Sequence, residues 1–460
     1  MLEVSSVTLP PHLRTGIQAS FGPLLVSLSV FLWNQEEPSK LATLAVLLTV
    51  YFLGAVLIAY GRHVGIVVRW DRWHAVWVSK IVLTVLITKY FWVLTLGPWL
   101  LDENFFDPAA YDYYGRLVAD DGLNLEVLQR GGGLTAGIAL FIGSIYLTFG
   151  TSTLYVAAFN CVFCLVTAMS VCGILAKALR SQDGFDGVRW IMLFPEILYY
   201  DALPAKESVS TALFYAAIFF ALLFCTEKVY RYIVLSILLA SAVALFRPTF
   251  GLLAAGCSAL VMLLGPQKIS LRAFILGILL VFAGGMSLLI FPELAEALAF
   301  AQRIEFANAV LENVPSASPV KQAINELLVP SSAVNFVAFV PLRMMLLLFG
   351  PFPFIFPDFD AIQNFKWAHG QYDVWLQEFV RISAILIIWL SISHRRVLQA
   401  WGHAPRVAKV AIFGIFLIVL LVVSNNAFFI HLRYRYLLDP IFLAAIYAIR
   451  TLRKAGGAEQ

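Results

Sequence analysis

A chain of 460 residues that is 61% hydrophobic and 13% charged, with a mean hydropathy of +0.84, is not an ordinary soluble protein, because soluble domains run near a quarter charged. The formal charge of +4 is too small to argue for nucleic acid, and no Lys/Arg tract exists. The composition is that of an integral membrane protein, and a β-barrel is not expected because barrel strands alternate apolar and polar residues.

The N-terminal MLEVSSVTLPPHLRTG lacks a basic region directly before a short apolar core, so no cleavable signal peptide is expected. Apolar runs then recur along nearly the whole chain. They predict spans over 14–33, 41–60, 77–99, 154–176, 187–204, 208–226, 232–246, 249–265, 272–291, 374–393, 408–429 and 436–451, several of them near the roughly 20 residues a helix needs to cross a bilayer. The expected fold is an all-α polytopic transmembrane domain over 1–460, with twelve helices and two large outer loops, 100–153 and 292–372.

Charge sets the orientation. With the N-terminus cytoplasmic, alternate turns hold Arg62, Arg69 and Arg72; Lys177, Arg180 and Arg189; Lys228 and Arg231; Lys268 and Arg272; and Arg395, Arg396, Arg406 and Lys409. The tail adds Arg450, Arg453 and Lys454, so basic residues fall inside as membrane proteins prefer. Both termini are then cytoplasmic, and the acidic segment after the third span faces outward. Two apolar stretches, 134–150 and 333–356, would invert every later loop if they crossed. They read as juxtamembrane or re-entrant elements of the outer side.

Outward-facing chemistry concentrates in a few places. LLDENFFDPAAYDYYGRLVADDG, from Leu100 to Gly122, gathers Asp102, Glu103, Asp107, Asp112, Asp120 and Asp121 against Arg116 alone. The turn FPEILYYDALPAKES brings Glu196, Asp201, Lys206 and Glu207, and FRPTF puts Arg247 at the outer end of its span. The second outer loop adds Arg303, Lys321, Arg343 and His369. FFIHLRYRYLLDP brings His431, Arg433 and Arg435 to the start of the last span. A carboxylate can take a proton from a hydroxyl, and arginine forks match phosphate oxygens. Together they point to moving a group off a lipid-borne phosphate onto a hydroxyl. Plainer roles compete: Asp120, Asp121 and Glu126 as solvated loop charge, Asp107 as the N-cap of a helix beginning at Pro108, and Arg433 and Arg435 as snorkelling anchors.

Order and residues together resemble the GT-C superfamily of membrane glycosyltransferases, which includes protein O-mannosyltransferases and the lipid A aminoarabinose transferase. The likeness rests on D-E at 102–103 and D-P-A-A-Y at 107–111 in an early outer loop, then on a juxtamembrane stretch ending at Phe149-Gly150. A proline-containing turn with Lys206-Glu207 follows, and R-Y-R-Y with a later proline, Arg433 to Pro440, closes the pattern. More than one predicted span precedes the acidic loop where the family usually has one, and no large C-terminal soluble domain follows.

The resemblance implies a sugar donor linked to polyprenyl phosphate, an acceptor that is a lipid, glycan or protein, and a periplasmic site in a bacterial inner membrane. It puts the catalytic base on Asp107, Glu103 or Asp102, and the donor phosphate against Arg433, Arg435, Arg247 and Lys206. Tyr111, Asp112, Glu207 and His431 would line the substrate. Transfer would be a single displacement with inversion. The histidines show no close pairing that would mark a metal. Asp102 and Glu103 leave room for a divalent cation, Mg or Mn, which no further ligand supports.

Two other classes fit parts of the pattern. A polysaccharide polymerase or ligase also uses outer arginines, with polyprenyl diphosphate, but often lacks a catalytic carboxylate. A transporter would show repeats and mid-membrane charge in broken helices. No repeat is visible, and the charge is read at helix ends.

Five cysteines, Cys161, Cys164, Cys172, Cys225 and Cys257, all lie in apolar runs. Cys161 and Cys164 form a C-x-x-C with no second pair. A structural zinc needs four ligands, so they are expected to be helix-packing residues.

Overall fold

The computed structural model describes residues 40–67, 69–95, 108–121, 136–179, 185–204, 206–264, 340–349, 399, 401–426 and 432–457. Among the described residues the chain is helical throughout, with no strand. α1 is Lys40–His63 and α2 is Trp70–Thr95. α3 is Pro108–Asp121, α4 is Ala136–Phe149 and α5 is Thr153–Leu179. A 3-10 helix, Phe185–Leu193, leads to the short α6, Pro195–Asp201. α7 is Glu207–Glu227, α8 is Tyr230–Phe246, α9 is Pro248–Leu264 and α10 is Val340–Phe349. A turn of helix at Arg406–Ala408 loosens to a π-helix over Lys409–Gly414 and continues as α11, Ile415–Asn426. α12 is Leu432–Gly457. The spans expected at 14–33, 272–291 and 374–393 lie outside the described residues.

Among the described residues four helices are long and apolar enough to cross a bilayer: Lys40–His63, Thr153–Leu179, Glu207–Glu227 and Arg406–Val423. This is a membrane protein by length and composition of its helices. α5 and α7 are the hub: 78% and 72% of their most apolar windows are buried inside the protein. α1 instead shows Leu41, Phe52, Leu53 and Val56 outward. An apolar helix with one buried and one exposed greasy face is expected where lipid covers the outside.

The stretch expected as one span at 187–204 is broken. Pro195 has no N–H to bond back along a helix and opens α6 at its first positions, with Phe194 extended before it. Proline favours that place for this reason. α4 has 14 residues, about 21 Å of rise, short of the ~30 Å hydrocarbon thickness. It pairs antiparallel with α3, where Gly115 and Gly143 let the backbones close on Ile142 and Val118.

The basic turns meet at one end. The Cys172 thiol of α5 reaches the Ile66 carbonyl in the turn between α1 and α2 at 3.4 Å. Lys177 at the end of α5 pairs with Glu227 at the end of α7 at 2.8 Å. Ala404 and Leu452 cluster with Leu179. The α3–α4 hairpin sits towards the opposite end: Phe149 and Phe141 of α4 meet Phe159 and Phe163 of α5 at 5.8 and 5.5 Å between ring centres. Gly137 lies against the Leu245 carbonyl at the end of α8.

Small residues seat large ones in the core. A methyl group at Gly54 would strike the Trp77 indole, whereas Gly256 is exposed with nothing near it. Gly54→Ala is expected to cost about 1–3 kcal/mol by overpacking, and Gly256→Ala to be neutral or mildly stabilising by helix propensity. Unfolding of the two purified variants in a detergent titration checks the contrast.

Candidate active site: two buried ion pairs

Lys80 lies well inside α2, in the apolar run VSKIVLTVL, and its side chain is 0% exposed. A charge in such a place needs an opposite charge beside it. Asp201, also 0% exposed, stands 2.5 Å from the Lys80 ammonium. The other Asp201 oxygen accepts from the Tyr436 hydroxyl of α12 at 2.5 Å and from the Ser208 hydroxyl of α7. Four helices, α2, α6, α7 and α12, thus meet on one carboxylate.

The turn carrying Asp201 is buried, so its backbone must be satisfied from outside. The Asn160 amide of α5 donates to the carbonyls of Asp201 at 3.2 Å and Leu203 at 2.8 Å. The Thr88 hydroxyl of α2 donates to the Ala202 carbonyl at 3.2 Å. Helix ends leave such carbonyls without helical partners, and here side chains of two neighbouring helices take their place.

A second pair lies where α8 gives way to α9. Pro248 disfavours helix in the residue before it, so Arg247 is extended, with φ −149° and ψ 99°. Its guanidinium bonds Glu207 in the first turn of α7 and lies over the Phe250 ring at 4.8 Å. Both members are buried, at 6% and 3% side-chain exposure.

Asp102, Glu103, Asp107 and His431 lie outside the described residues. For Tyr111, Arg433 and Arg435 the structure describes the backbone only: Tyr111 is in the first turn of α3, and the two arginines are in the first turn of α12. Asp112 accepts from Arg116 at 2.9 Å and from the Tyr146 hydroxyl of α4, which ties the acidic helix to its partner. Lys206 is half-buried at the start of α7. Glu207 and Arg247, expected as separate ligand contacts, are brought together as each other's partners. Among the described residues no three His, Cys, Asp or Glu are grouped to hold a metal ion, and Asp102 and Glu103 are not among them. The cysteines are free, and Cys161 and Cys164 are buried in α5.

Compared with known protein families, with curated proteins and with solved structures, the chain matches none. The case for function therefore rests on the residues themselves.

Lys80, Asn160, Ser208 and Tyr436 escaped the sequence reading as site residues. A signal existed for Lys80: a lone ammonium inside an apolar run has to find a partner. It also corrects the view that charge sits only at helix ends, because Lys80 and Asp201 form a charged centre within the packed core. Three segments far apart in sequence gather at the end away from the basic turns. They are the α3–α4 hairpin, the Asp201–Glu207 turn and the first turn of α12.

Removing one buried partner strands the other. Lys80→Met is expected to cost about 3–5 kcal/mol, and Lys80→Met combined with Asp201→Asn, which buries no charge, to recover most of it. A double-mutant cycle on unfolding in detergent measures the coupling. Additive single effects would show that the two groups do not stabilise each other.

Proposed function

We propose that this chain is a membrane glycosyltransferase of the GT-C type. It takes a sugar from a polyprenyl-phosphate carrier and joins it to an acceptor hydroxyl on the outer face of a bacterial inner membrane. In this reading the chain crosses twelve times, with both termini and the basic turns cytoplasmic, as the positive-inside bias requires. The observation that carries the reading is the gathering of the acidic hairpin, the K-E turn at Glu207 and the R-Y-R-Y turn at the end opposite the basic turns. The resemblance rests on these segments together with Asp102, Glu103 and Asp107, which lie outside the described residues.

The chemistry follows from the residue types. An outer-loop carboxylate, Asp107 or Glu103, removes the proton of the acceptor hydroxyl as its oxygen bonds the anomeric carbon. The bond from that carbon to the phosphate oxygen breaks on the opposite side, so configuration inverts. The phosphate leaves with the electron pair, and Arg433 and Arg435 stabilise its charge as fixed cations do best. Arg247 adds to that field with its charge shared with Glu207, and Lys206 stands beside the same turn. Tyr111, Asp112 and His431 complete the sugar and acceptor side. Mg or Mn at Asp102 and Glu103 would supply further charge to the phosphate.

One observation favours a second reading, a transporter. The break at Pro195 and the buried Lys80–Asp201 pair beside it match a discontinuous helix with internal charge, which transporters use for their sites.

Membranes given labelled polyprenyl-phosphate sugars separate the two. Label is expected to move to an acceptor in wild type. Asp107→Asn or Glu103→Gln should lower the rate by about 100-fold or more at unchanged chain abundance. Transfer that survives both substitutions sinks the carboxylate mechanism at these positions. A wild type that transfers from no polyprenyl-phosphate donor favours the transporter, or a polymerase or ligase using polyprenyl diphosphate.

A further inference from the structure

α12 begins Leu432-Arg433-Tyr434-Arg435-Tyr436 and carries Pro440 in its interior. A proline inside a helix lacks the N–H for the carbonyl four residues back and crowds that carbonyl with its ring. Here the carbonyl is that of Tyr436. The first turn is thus joined to the rest of its own helix by one bond fewer, at the residue that follows the two arginines.

What is lost along the axis is supplied from the side. The Tyr436 hydroxyl donates to Asp201 at 2.5 Å, and the Tyr215 hydroxyl of α7 donates to the carbonyl of Leu437. Both phenols are buried, and the Tyr200 ring of α6 meets Tyr436 edge-on at 6.2 Å. Apolar packing does not ask for either hydroxyl, since phenylalanine would fill the same space. The anchor itself is fixed, because Asp201 is gripped by Lys80 and Ser208 and its turn is bonded by Asn160.

We infer that Asp201 is a positioning residue: held by Lys80 and Ser208, it sets through the Tyr436 hydroxyl the place of the turn that bears Arg433 and Arg435. This rests on the reading above, in which those arginines receive the donor's lipid phosphate. The ligand chemistry served is a sugar phosphodiester on a polyprenyl chain. The charge balance of Lys80 and Asp201 makes the anchor neutral overall, so the cationic turn is held without a net charge next to the phosphate it serves.

The test compares wild type, Tyr436→Phe and Asp201→Asn in full-length protein in nanodiscs. Asp201→Asn leaves Lys80 without its counter-charge and can fail to fold. Tyr436→Phe removes one oxygen and keeps the ring, so it decides. Hydrogen exchange of residues 432–438 is expected to quicken by about tenfold, the loss of one hydrogen bond to a charged group, with residues 443–452 unchanged. Donor KM should rise by a similar factor while kcat and acceptor KM hold. A merely structural role would lower yield and melting temperature without singling out the donor. Unchanged exchange in the first turn overturns the proposal whatever the activity does. Faster exchange with unchanged donor KM overturns its link to the phosphate. If wild type uses no polyprenyl-phosphate donor, the transferase reading has failed, and the exchange result alone rules on whether Asp201 positions the turn.

Discussion

An ammonium and a carboxylate share the apolar centre of this bundle, and the rest of the packing is arranged round that fact. Burying either alone costs several kcal/mol even after relaxation, so Lys80 and Asp201 have to meet for the core to close. Their meeting fixes α2 against α6. The remaining lone pairs of Asp201 then draw in Ser208 from α7 and Tyr436 from α12. A hydrophobic core tolerates small slides of one helix past another. A carboxylate with named donors from three sides does not, because a slide leaves a charge unmatched.

The break at Pro195 makes that meeting geometrically available. An unbroken helix from 185 to 204 would direct its carbonyls along its own axis and leave no buried turn for a carboxylate to occupy. Breaking it exposes backbone groups that a membrane interior will not satisfy. Asn160 and Thr88 satisfy them instead. The polar side chains of α2 and α5 and the irregular segment they bond are therefore one unit, each tolerable in an apolar surrounding only because the other is there. Lys206 and Glu207 begin α7 directly after this unit, so the turn's position and the site's position are a single question.

Helix existence and the grouping of the described basic turns at one end were legible in the sequence because they depend on local quantities: run length, proline and the placement of Lys and Arg. α5 and α7 match the apolar runs at 154–176 and 208–226 within a few residues. Arg62, Lys177 and Lys228 fall at the ends of α1, α5 and α7 as the charge pattern implies. Partner choice was not legible. Arg247 and Glu207 look like two independent ligand contacts until the α8–α9 break folds one onto the other. The 3-10 helix before Pro195 was equally hidden, since hydropathy does not distinguish a continuous crossing from a broken one. Lys80 was visible as an anomaly, but nothing local names Asp201 as its answer rather than Glu196 or Glu207.

The two buried pairs differ in what they can do. Lys80–Asp201 is sealed, and a group with no path to solvent or ligand acts by holding others in place. Arg247–Glu207 lies at a helix break next to the Leu245 carbonyl that the α3–α4 hairpin touches. Its guanidinium is bonded to that carboxylate, which neutralises most of its charge. An anion arriving there meets little net Coulomb attraction, because the pair is close to neutral. Arg433 and Arg435, two cations on one turn, offer the stronger pull. If a lipid phosphate binds at this end of the bundle, its charge belongs with the first turn of α12, and Arg247 is better suited to shaping the wall beside it.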